Sequence, residues 1–125
     1  MADGHLVGRE HHFSVHVYFD DTDFSGLVYH ANYLRYMEHA RSDMLKCAGI
    51  GQRAAFEAGE GVYAVSELSI KYKRPARFDD ELLIVSTIEH LGAAKVVIHQ
   101  RVMLGDETLT DARVVAAFLS REWAR

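Results

Sequence analysis

Only one long stretch of the chain carries a strong helical pattern, and this limits what the rest can form. Within residues 32–48, apolar side chains recur at the spacing of one helix face and predict a helix of about four turns. The face comprises Tyr33, Met37, Ala40, Met44 and Ala48, widened by Leu34 and Leu45, whereas Arg35, His39, Ser42, Asp43 and Lys46 lie elsewhere. Gly49 and Gly51 favour a helix end, because glycine readily adopts the left-handed conformation. A weaker helical segment is predicted at residues 52–58.

The remaining segments have the patterns of β-strands. Phe13, Val15, Val17 and Phe19 alternate with more polar residues, which is the period of a strand with one buried face. After Gly59 and Gly61, further β-rich runs span residues 62–74, 81–89, 95–104 and 108–119. Turn signals separate these runs at residues 75–80, at Gly92 and at residues 105–106.

A helix with apolar residues around much of its circumference has to bury them against another element, and the predicted strands can form the sheet that buries them. We therefore expect an α+β fold in which an antiparallel sheet of about five strands curls around one long central helix. The last four strands are expected to form a meander. The length of 125 residues is that of one domain, so residues 1–125 are predicted to form a single unit.

Composition narrows the functional classes. A formal net charge of −4 argues against a general nucleic-acid binder, which normally carries a surplus of Lys and Arg. The single cysteine, Cys47, cannot form an internal disulfide, and the first twelve residues lack the apolar core of a signal peptide. No run approaches the ~20 apolar residues that a membrane helix needs. We expect a cytoplasmic protein that does not insert into a membrane.

Residues 20–41 carry the densest chemical signal. They place acids and a glycine on the turn between a strand and the helix, followed by an aromatic residue and His30 at the helix start. The start of a helix presents unpaired backbone N–H groups and the positive end of the helix dipole, which stabilise an oxyanion. A nearby carboxylate can act as nucleophile or general base. Together these groups suit acyl transfer.

Two simpler interpretations compete for the same acids. Asp and Ser are common in turns because their side chains bind the local backbone, so each acid here also fits a purely structural role. Alternatively, Asp21, Asp23, Ser25 and Gly26 match positions one, three, five and six of a calcium-binding loop. The calcium pattern fails at position twelve, where Asn32 cannot supply a bidentate carboxylate.

The run from Asp21 to Arg41, D-T-D-F-S-G-L-V-Y-H-A-N-Y-L-R-Y-M-E-H-A-R, resembles the signature of the 4-hydroxybenzoyl-CoA thioesterase superfamily. It is most similar to the YbgC-type acyl-CoA thioesterases, which are associated with the Tol-Pal system. The later run KYKRPARFDDEL, at residues 71–82, is also similar to that family. The likeness covers nearly the whole chain. Phe24 and Ser25 depart from it, because small residues are more usual at these two positions.

The resemblance implies a hotdog fold, homodimers that often pair into tetramers, and hydrolysis of an acyl-CoA substrate with no other cofactor. It implies that Asp23, the second acid of D-x-D, is catalytic and that the backbone N–H of His30 polarises the thioester carbonyl. Asp23 then either attacks the carbonyl carbon or activates a water, and both routes stay open. The side chains of Tyr29 and His30 are candidates to orient Asp23 or to line the pocket.

Two further activities compete with hydrolysis. A hotdog dehydratase also acts on acyl thioesters, but the D-x-D-x-x-G-x-V-Y-H run favours hydrolysis. A non-catalytic module that binds acyl thioesters would keep the pocket without turnover, and the presence of Asp23 argues against it.

Lys71, Lys73, Arg74 and Arg77 form the one basic cluster in an acidic sequence. This cluster fits an ordinary solvated strand end as well as it fits a phosphate-binding site. Because CoA carries phosphates and Lys and Arg bind phosphate, Lys73 and Arg74 are the candidate CoA contacts.

The other polar candidates are weaker. His5, His11, His12 and His16 form no H-E-x-x-H pattern and show no cysteine partners in sequence, so no metal is assigned. Cys47 is expected to be a packing residue rather than a nucleophile. Glu38 and Arg41 are expected to pair along the helix. The alternative is that Glu38 points into the surroundings of the active site in the dimer. Sheet edges and the apolar run at residues 114–119 predict at least a homodimer.

Overall fold

The computed structural model describes residues 3–48 and 62–119. Its helix is α1 (His30–Cys47), and its strands are β1 (His5–Val7), β2 (Glu10–His16), β3 (Val62–Tyr72), β4 (Glu81–Leu91), β5 (Lys95–Leu104) and β6 (Glu107–Leu119). A short 3₁₀ turn, Phe19–Asp21, lies between β2 and α1. The predicted helix end at Gly49 and Gly51, the helical segment at residues 52–58, and Gly59 and Gly61 lie outside the described residues.

The strands form one antiparallel six-stranded sheet in the order β1-β2-β4-β5-β6-β3. The α+β architecture, with one long helix against a curled antiparallel sheet, is the predicted one. The strand count is higher by one, because the short β1 pairs with β2 near the start of the chain. The expected four-strand meander is wrong in one step: β3 pairs with β6, and β4 pairs with β2. Of the last four strands, β4, β5 and β6 follow each other as hairpins, and β3 does not join them.

Helix α1 buries one side against the sheet. Tyr33, Met37 and Ala40 are buried as predicted, and they pack in a core with residues such as Leu82 and Val102. At about 25 cal/mol per Å² of apolar area removed from water, this core is the main stabilising term of the fold.

The buried face of α1 differs in part from the predicted face. Tyr36 and Asp43 are buried, whereas Leu34 is 39% exposed and Ala48 is also exposed. The reason is that the N-terminal segment covers the Asp43 side of the helix, since Gly4 N–H donates to the Asp43 carboxylate at 2.9 Å. The side that carries Leu34 faces an open groove.

Strand β2 ends earlier than its alternating pattern suggests. Val17 is fully buried, and its backbone bonds with the turn before β4, donating to the Asp80 carbonyl and accepting from Asp79 N–H, both at 2.9 Å. Phe19, predicted as a buried strand position, is instead 75% exposed in the 3₁₀ turn, with its ring against Phe78. Within the described ranges, no helix has the length and apolarity that a membrane crossing requires.

Candidate active site

A tight loop joins the 3₁₀ turn to α1 and carries Asp23. The Asp23 N–H donates to the Leu27 carbonyl at 2.9 Å, and the Gly26 N–H donates to the Asp23 carbonyl at 3.1 Å. Gly26 has a φ of +79°, a value that residues with side chains rarely adopt. A bridge between Thr22 and Val28 closes the loop. The chain therefore reverses sharply after Asp23 and returns directly into the start of α1.

One oxygen of the Asp23 carboxylate is fixed and the other is free. Oδ1 accepts hydrogen bonds from the Ser25 N–H at 2.8 Å and from the Ser25 hydroxyl. The hydroxyl bond, reinforced by the backbone bond, lowers the pKa of Asp23 below its ordinary value, because both donors favour the charged form. No described residue donates to Oδ2. Asp23 is thus an exposed carboxylate, ionised at neutral pH, with one oxygen open to a ligand.

His30 is the first residue of α1, and Tyr29 is its N-cap residue. The Tyr29 side chain makes no capping hydrogen bond, and the first turn contains no acidic residue. The first N–H groups of a helix lack partners within the helix. Here the Asn32 N–H donates to the Tyr29 carbonyl at 2.9 Å, which leaves the N–H groups of His30 and Ala31 available to an electron-rich ligand atom. The Tyr29 ring lies 4.5 Å from the His30 ring, and the Tyr72 hydroxyl donates to the His30 carbonyl at 3.3 Å.

Asp21 has a different role from Asp23. It is buried, and its carboxylate accepts from the Tyr18 N–H at 3.0 Å and pairs with the Arg35 guanidinium. Its carbonyl accepts from the Asn32 side-chain amide at 2.8 Å. These contacts hold the loop against α1. They also contradict the calcium-loop interpretation, because Asp21 and Asn32 are engaged with protein groups instead of converging with Asp23 on one ion.

The two sequence runs that carry the family resemblance contact each other here. The Val28 N–H donates to the Ala76 carbonyl at 2.9 Å, and the Phe78 N–H donates to the Gly26 carbonyl at 3.1 Å. The Ala76 N–H in turn donates to the Tyr33 hydroxyl at 2.8 Å. The turn at residues 75–80 therefore supports the Asp23 loop. The helical spacing of Tyr33 predicts only a core position, and the signal for its second role is that a buried tyrosine hydroxyl normally needs a polar partner.

The two predicted CoA contacts directly follow β3. The Lys73 side chain is exposed and lines a shallow cleft of about 150 Å³ with Lys71, Arg113, Asp111 and Ser69. No residue of α1 lines this cleft. Arg74 is also exposed but pairs with Glu107 at 3.5 Å. Of these two side chains, only Arg74 has an ion-pair partner among the described residues.

Two cavities along α1 lie away from the Asp23 loop. One, of about 670 Å³, lies between the second half of α1 and the sheet. A second, of about 340 Å³, is nearer the start of the helix and is lined by Leu34 and Leu68. The two share three lining residues, so they form one groove along α1. Neither includes Asp23 or His30.

Two predictions about side chains on other elements need correction. Arg41 donates to Gln100 at 2.8 Å, so its hydrogen bond goes to the sheet and not to Glu38 as expected. Burial lowers the pKa of Arg41. The apolar run at residues 114–119, expected to need a second cover, belongs to β6, which is paired at both edges, with β5 and with β3. The described edges of the sheet are β1 and β3.

Comparison with known proteins agrees with this architecture. Residues 25–110 match the profile of the family described as "Thioesterase superfamily". The acyl-CoA thioesterase YbgC of Haemophilus influenzae is 34% identical over 105 residues, covering 84% of this chain and 77% of that protein. The acyl-CoA thioester hydrolase YbgC of Escherichia coli is 37% identical over 95 residues, covering 76% and 70%.

A solved structure extends the agreement to the fold. The probable thioesterase from Bartonella henselae superposes with a TM-score of 0.85 at 34% identity, covering 91% of this chain and 94% of that chain. The profile match spans more than half of this sequence, and it includes Ser25, the start of α1 and the basic cluster. The chain therefore belongs to the thioesterase superfamily and has its hotdog fold.

Proposed function

We propose that the protein hydrolyses acyl-CoA to a free acid and CoA, with Asp23 as the catalytic carboxylate. One observation carries the proposal: an ionised carboxylate with one free oxygen lies on a loop that runs directly into the uncapped start of α1. The carboxylate supplies a nucleophile or base, and the start of the helix supplies N–H donors for an oxyanion. The names of the YbgC relatives add support, since both describe acyl-CoA thioester hydrolysis.

In the proposed mechanism, the thioester carbonyl oxygen accepts from the backbone N–H of His30. One such donor typically contributes roughly 2.7–4 kcal/mol of transition-state stabilisation. If Asp23 is the nucleophile, its free oxygen attacks the carbonyl carbon, CoA leaves as the thiolate, and water cleaves the mixed anhydride to regenerate the carboxylate. If Asp23 is the general base, it takes a proton from the water that attacks the same carbon. Tyr29, beside His30, is proposed to line the acyl site.

The direct test is release of CoA by the purified full-length chain. We expect turnover without added metal or cofactor, because the loop supplies its own carboxylate and oxyanion donors. Thiol release should be followed over short aliphatic, long aliphatic and aromatic acyl-CoAs. Absence of turnover across the panel, together with measurable acyl-CoA binding, would identify a non-catalytic binding module instead.

Lys73 is proposed to bind a CoA phosphate, with Arg74 as a second and weaker contact. Lys73 has no ion-pair partner among the described residues, whereas Arg74 already faces Glu107. A phosphate remote from the reacting carbon is held equally in the ground and transition states, so such contacts act on substrate binding.

We therefore expect Lys73→Ala to raise KM for acyl-CoA by several-fold to tenfold with little change in kcat. Arg74→Ala should have a smaller effect of the same kind. Lys95→Ala, which removes an exposed lysine at the start of β5, is the matched control and should leave KM unchanged. Unaltered KM values in both Lys73→Ala and Arg74→Ala would locate the phosphates elsewhere.

We further propose that the chain forms a homodimer along β3, from which tetramers can assemble. Strand β3 is an eleven-residue edge, and its Val65 and Leu68 are 49% and 40% exposed. The groove beside it exposes apolar residues of α1, including Leu34 and Leu45. An exposed apolar edge of this length normally needs a cover, and a second copy supplies one.

Light scattering of the full chain at micromolar concentration should therefore give the mass of a dimer or tetramer. Leu68→Asp places a charge on this edge and should shift the population toward monomer. Leu6→Asp is the matched control, since Leu6 is 52% exposed on the opposite edge strand. A monomeric wild-type protein would contradict the proposal.

A further inference from the structure

Three side chains with metal-binding atoms converge near the end of α1. His11 Nε2 on β2 lies 2.7 Å from the Asp43 Oδ2 on the helix, and Cys47 Sγ lies 3.7 Å from the same oxygen. The three donor atoms lie within 4.8 Å of one another. We propose that His11, Asp43 and Cys47 form a binding site for a divalent cation of the Zn²⁺ class. This inference goes beyond the proposed hydrolysis and does not depend on it.

The donor set and spacing suit such an ion. Zn²⁺ binds imidazole nitrogen and carboxylate oxygen at about 2.0–2.2 Å and thiolate sulfur at about 2.3 Å, in a tetrahedral arrangement. These lengths place neighbouring donor atoms roughly 3.4–3.6 Å apart. The Cys47–Asp43 contact of 3.7 Å is close to this spacing, whereas the His11–Asp43 hydrogen bond of 2.7 Å has to open by about 0.7 Å. The Gly4 carbonyl oxygen lies 3.5 Å from Cys47 Sγ and accepts a hydrogen bond from the thiol.

The positions of Asp43 and Cys47 follow from the helix. They are four residues apart, so they project from the same side of α1 onto the strand that carries His11. The free ring nitrogen of His11, Nδ1, is buried and has no hydrogen-bond partner among the described residues. Metal binding at Nε2 puts the ring proton on Nδ1, where no described residue accepts it, so the metal bond has to offset the burial of that N–H.

The charge of the cluster also favours a cation. His11 and Asp43 are 1% and 6% exposed, and no Lys or Arg of the described residues pairs with the Asp43 carboxylate. Its hydrogen-bond donors are His11, the backbone N–H groups of Asp3 and Gly4, and the Cys47 thiol. When a Zn²⁺ ion binds, Cys47 releases its thiol proton to solvent as the sulfur–metal bond forms. Two negative ligands then balance the two positive charges, which removes a net charge from a buried site.

Two other arrangements give different experimental results. A purely structural cluster, in which Asp43 anchors the N-terminal segment by hydrogen bonds, has no metal-dependent signal. A surface pair, His5 and His12 with ring centroids 5.7 Å apart, is able to capture a cation without any sulfur ligand. Because Cys47 is the single cysteine of the chain, a metal–thiolate signal reports on the proposed site alone.

The test is a Co²⁺ titration of the chelator-treated full-length protein, followed by displacement with Zn²⁺. We expect a thiolate-to-cobalt charge-transfer band that saturates at one Co²⁺ per chain, disappears when Zn²⁺ is added, and accompanies a rise in Tm with Zn²⁺. Cys47→Ser should lose the band and the Zn²⁺-dependent rise in Tm. The matched control His12→Gln should keep both.

Several results would overturn the site. They are the absence of the band, a Zn²⁺-dependent Tm rise that survives Cys47→Ser, and saturation at one metal per two chains. If Cys47→Ser does not fold, Zn²⁺ should still slow alkylation of Cys47 in the wild-type chain, and unchanged alkylation would refute the proposal. Chelator should leave CoA release unaltered, because Asp43 lies about 20 Å along α1 from His30. Failure of this site is thus distinguishable from failure of the proposed hydrolysis.

Discussion

Asp23→Asn is expected to lower kcat for acyl-CoA hydrolysis by at least about 10²-fold while leaving Tm close to that of the wild type. The change keeps the side-chain size and one oxygen able to accept from Ser25, so the loop should hold its shape. It removes the negative charge that a nucleophile or base needs, and general-base catalysis alone is worth roughly 10²–10⁴-fold. Steady-state CoA release and a thermal melt on the same preparation measure both quantities.

The neighbouring acids provide the matched controls. Asp20 is exposed, and Asp20→Asn should be mild in both measurements. Asp21 is buried beside Arg35, so Asp21→Asn should lower the free energy of unfolding by about 1–3 kcal/mol while retaining most turnover per folded molecule. If Asp23→Asn instead keeps near-normal turnover with an intact melt, Asp23 is not the catalytic group. The His30 imidazole would then be the next base to examine.

Ser25→Ala is expected to shift the acid limb of the pH profile of kcat/KM to higher pH. The Ser25 hydroxyl is the largest cause of the lowered pKa of Asp23, because it donates to the charged carboxylate. Activity that requires ionised Asp23 is complete above this pKa and is lost as pH falls through it. Removing the hydroxyl raises the pKa of Asp23 toward its ordinary value, so the loss begins at higher pH. The profile of kcat/KM reports this group in the free enzyme.

The control for this shift is Ser14→Ala. Ser14 is exposed on β2 and makes no hydrogen bond to Asp23, so its removal should not move the acid limb. Turnover at neutral pH should change little in Ser25→Ala, since Asp23 remains ionised there. An acid limb that stays in place would mean that a different group controls activity at low pH.

Local sequence patterns predicted the elements of the fold well. Helix α1 was expected at residues 32–48 and occupies His30–Cys47, and β5 matches its predicted bounds. These agreements arise because the spacing of apolar residues and the residues that end helices and strands are properties of neighbouring positions in the chain. Strand pairing is not such a property. The expected meander failed at β3 because its partner is β6, and the paired residues lie between 38 positions (Tyr72 and Thr110) and 57 positions (Val62 and Leu119) apart in the chain.

The same division applies to the site. The D-x-D-x-x-G-x-V-Y-H run made Asp23 and His30 candidates, and their catalytic roles remain predictions. The structure distinguished Asp21 from Asp23, because only the fold buries the first beside Arg35 and leaves the second exposed. It also revealed that Ser25, a departure from the usual family pattern, holds the Asp23 carboxylate.

Patterns in the amino-acid sequence predicted one long helix, a β-rich remainder, membership of a thioesterase family and Asp23 as the acid proposed for the chemistry. These depend on spacing along the chain and on a dense local motif. Tertiary structure alone decided which side of α1 is covered, which strand forms the exposed edge, and that His11 meets Asp43 and Cys47. Contacts between residues more than thirty positions apart depend on strand order and helix rotation. Both are set by packing of the whole sheet against α1, and no local pattern encodes them.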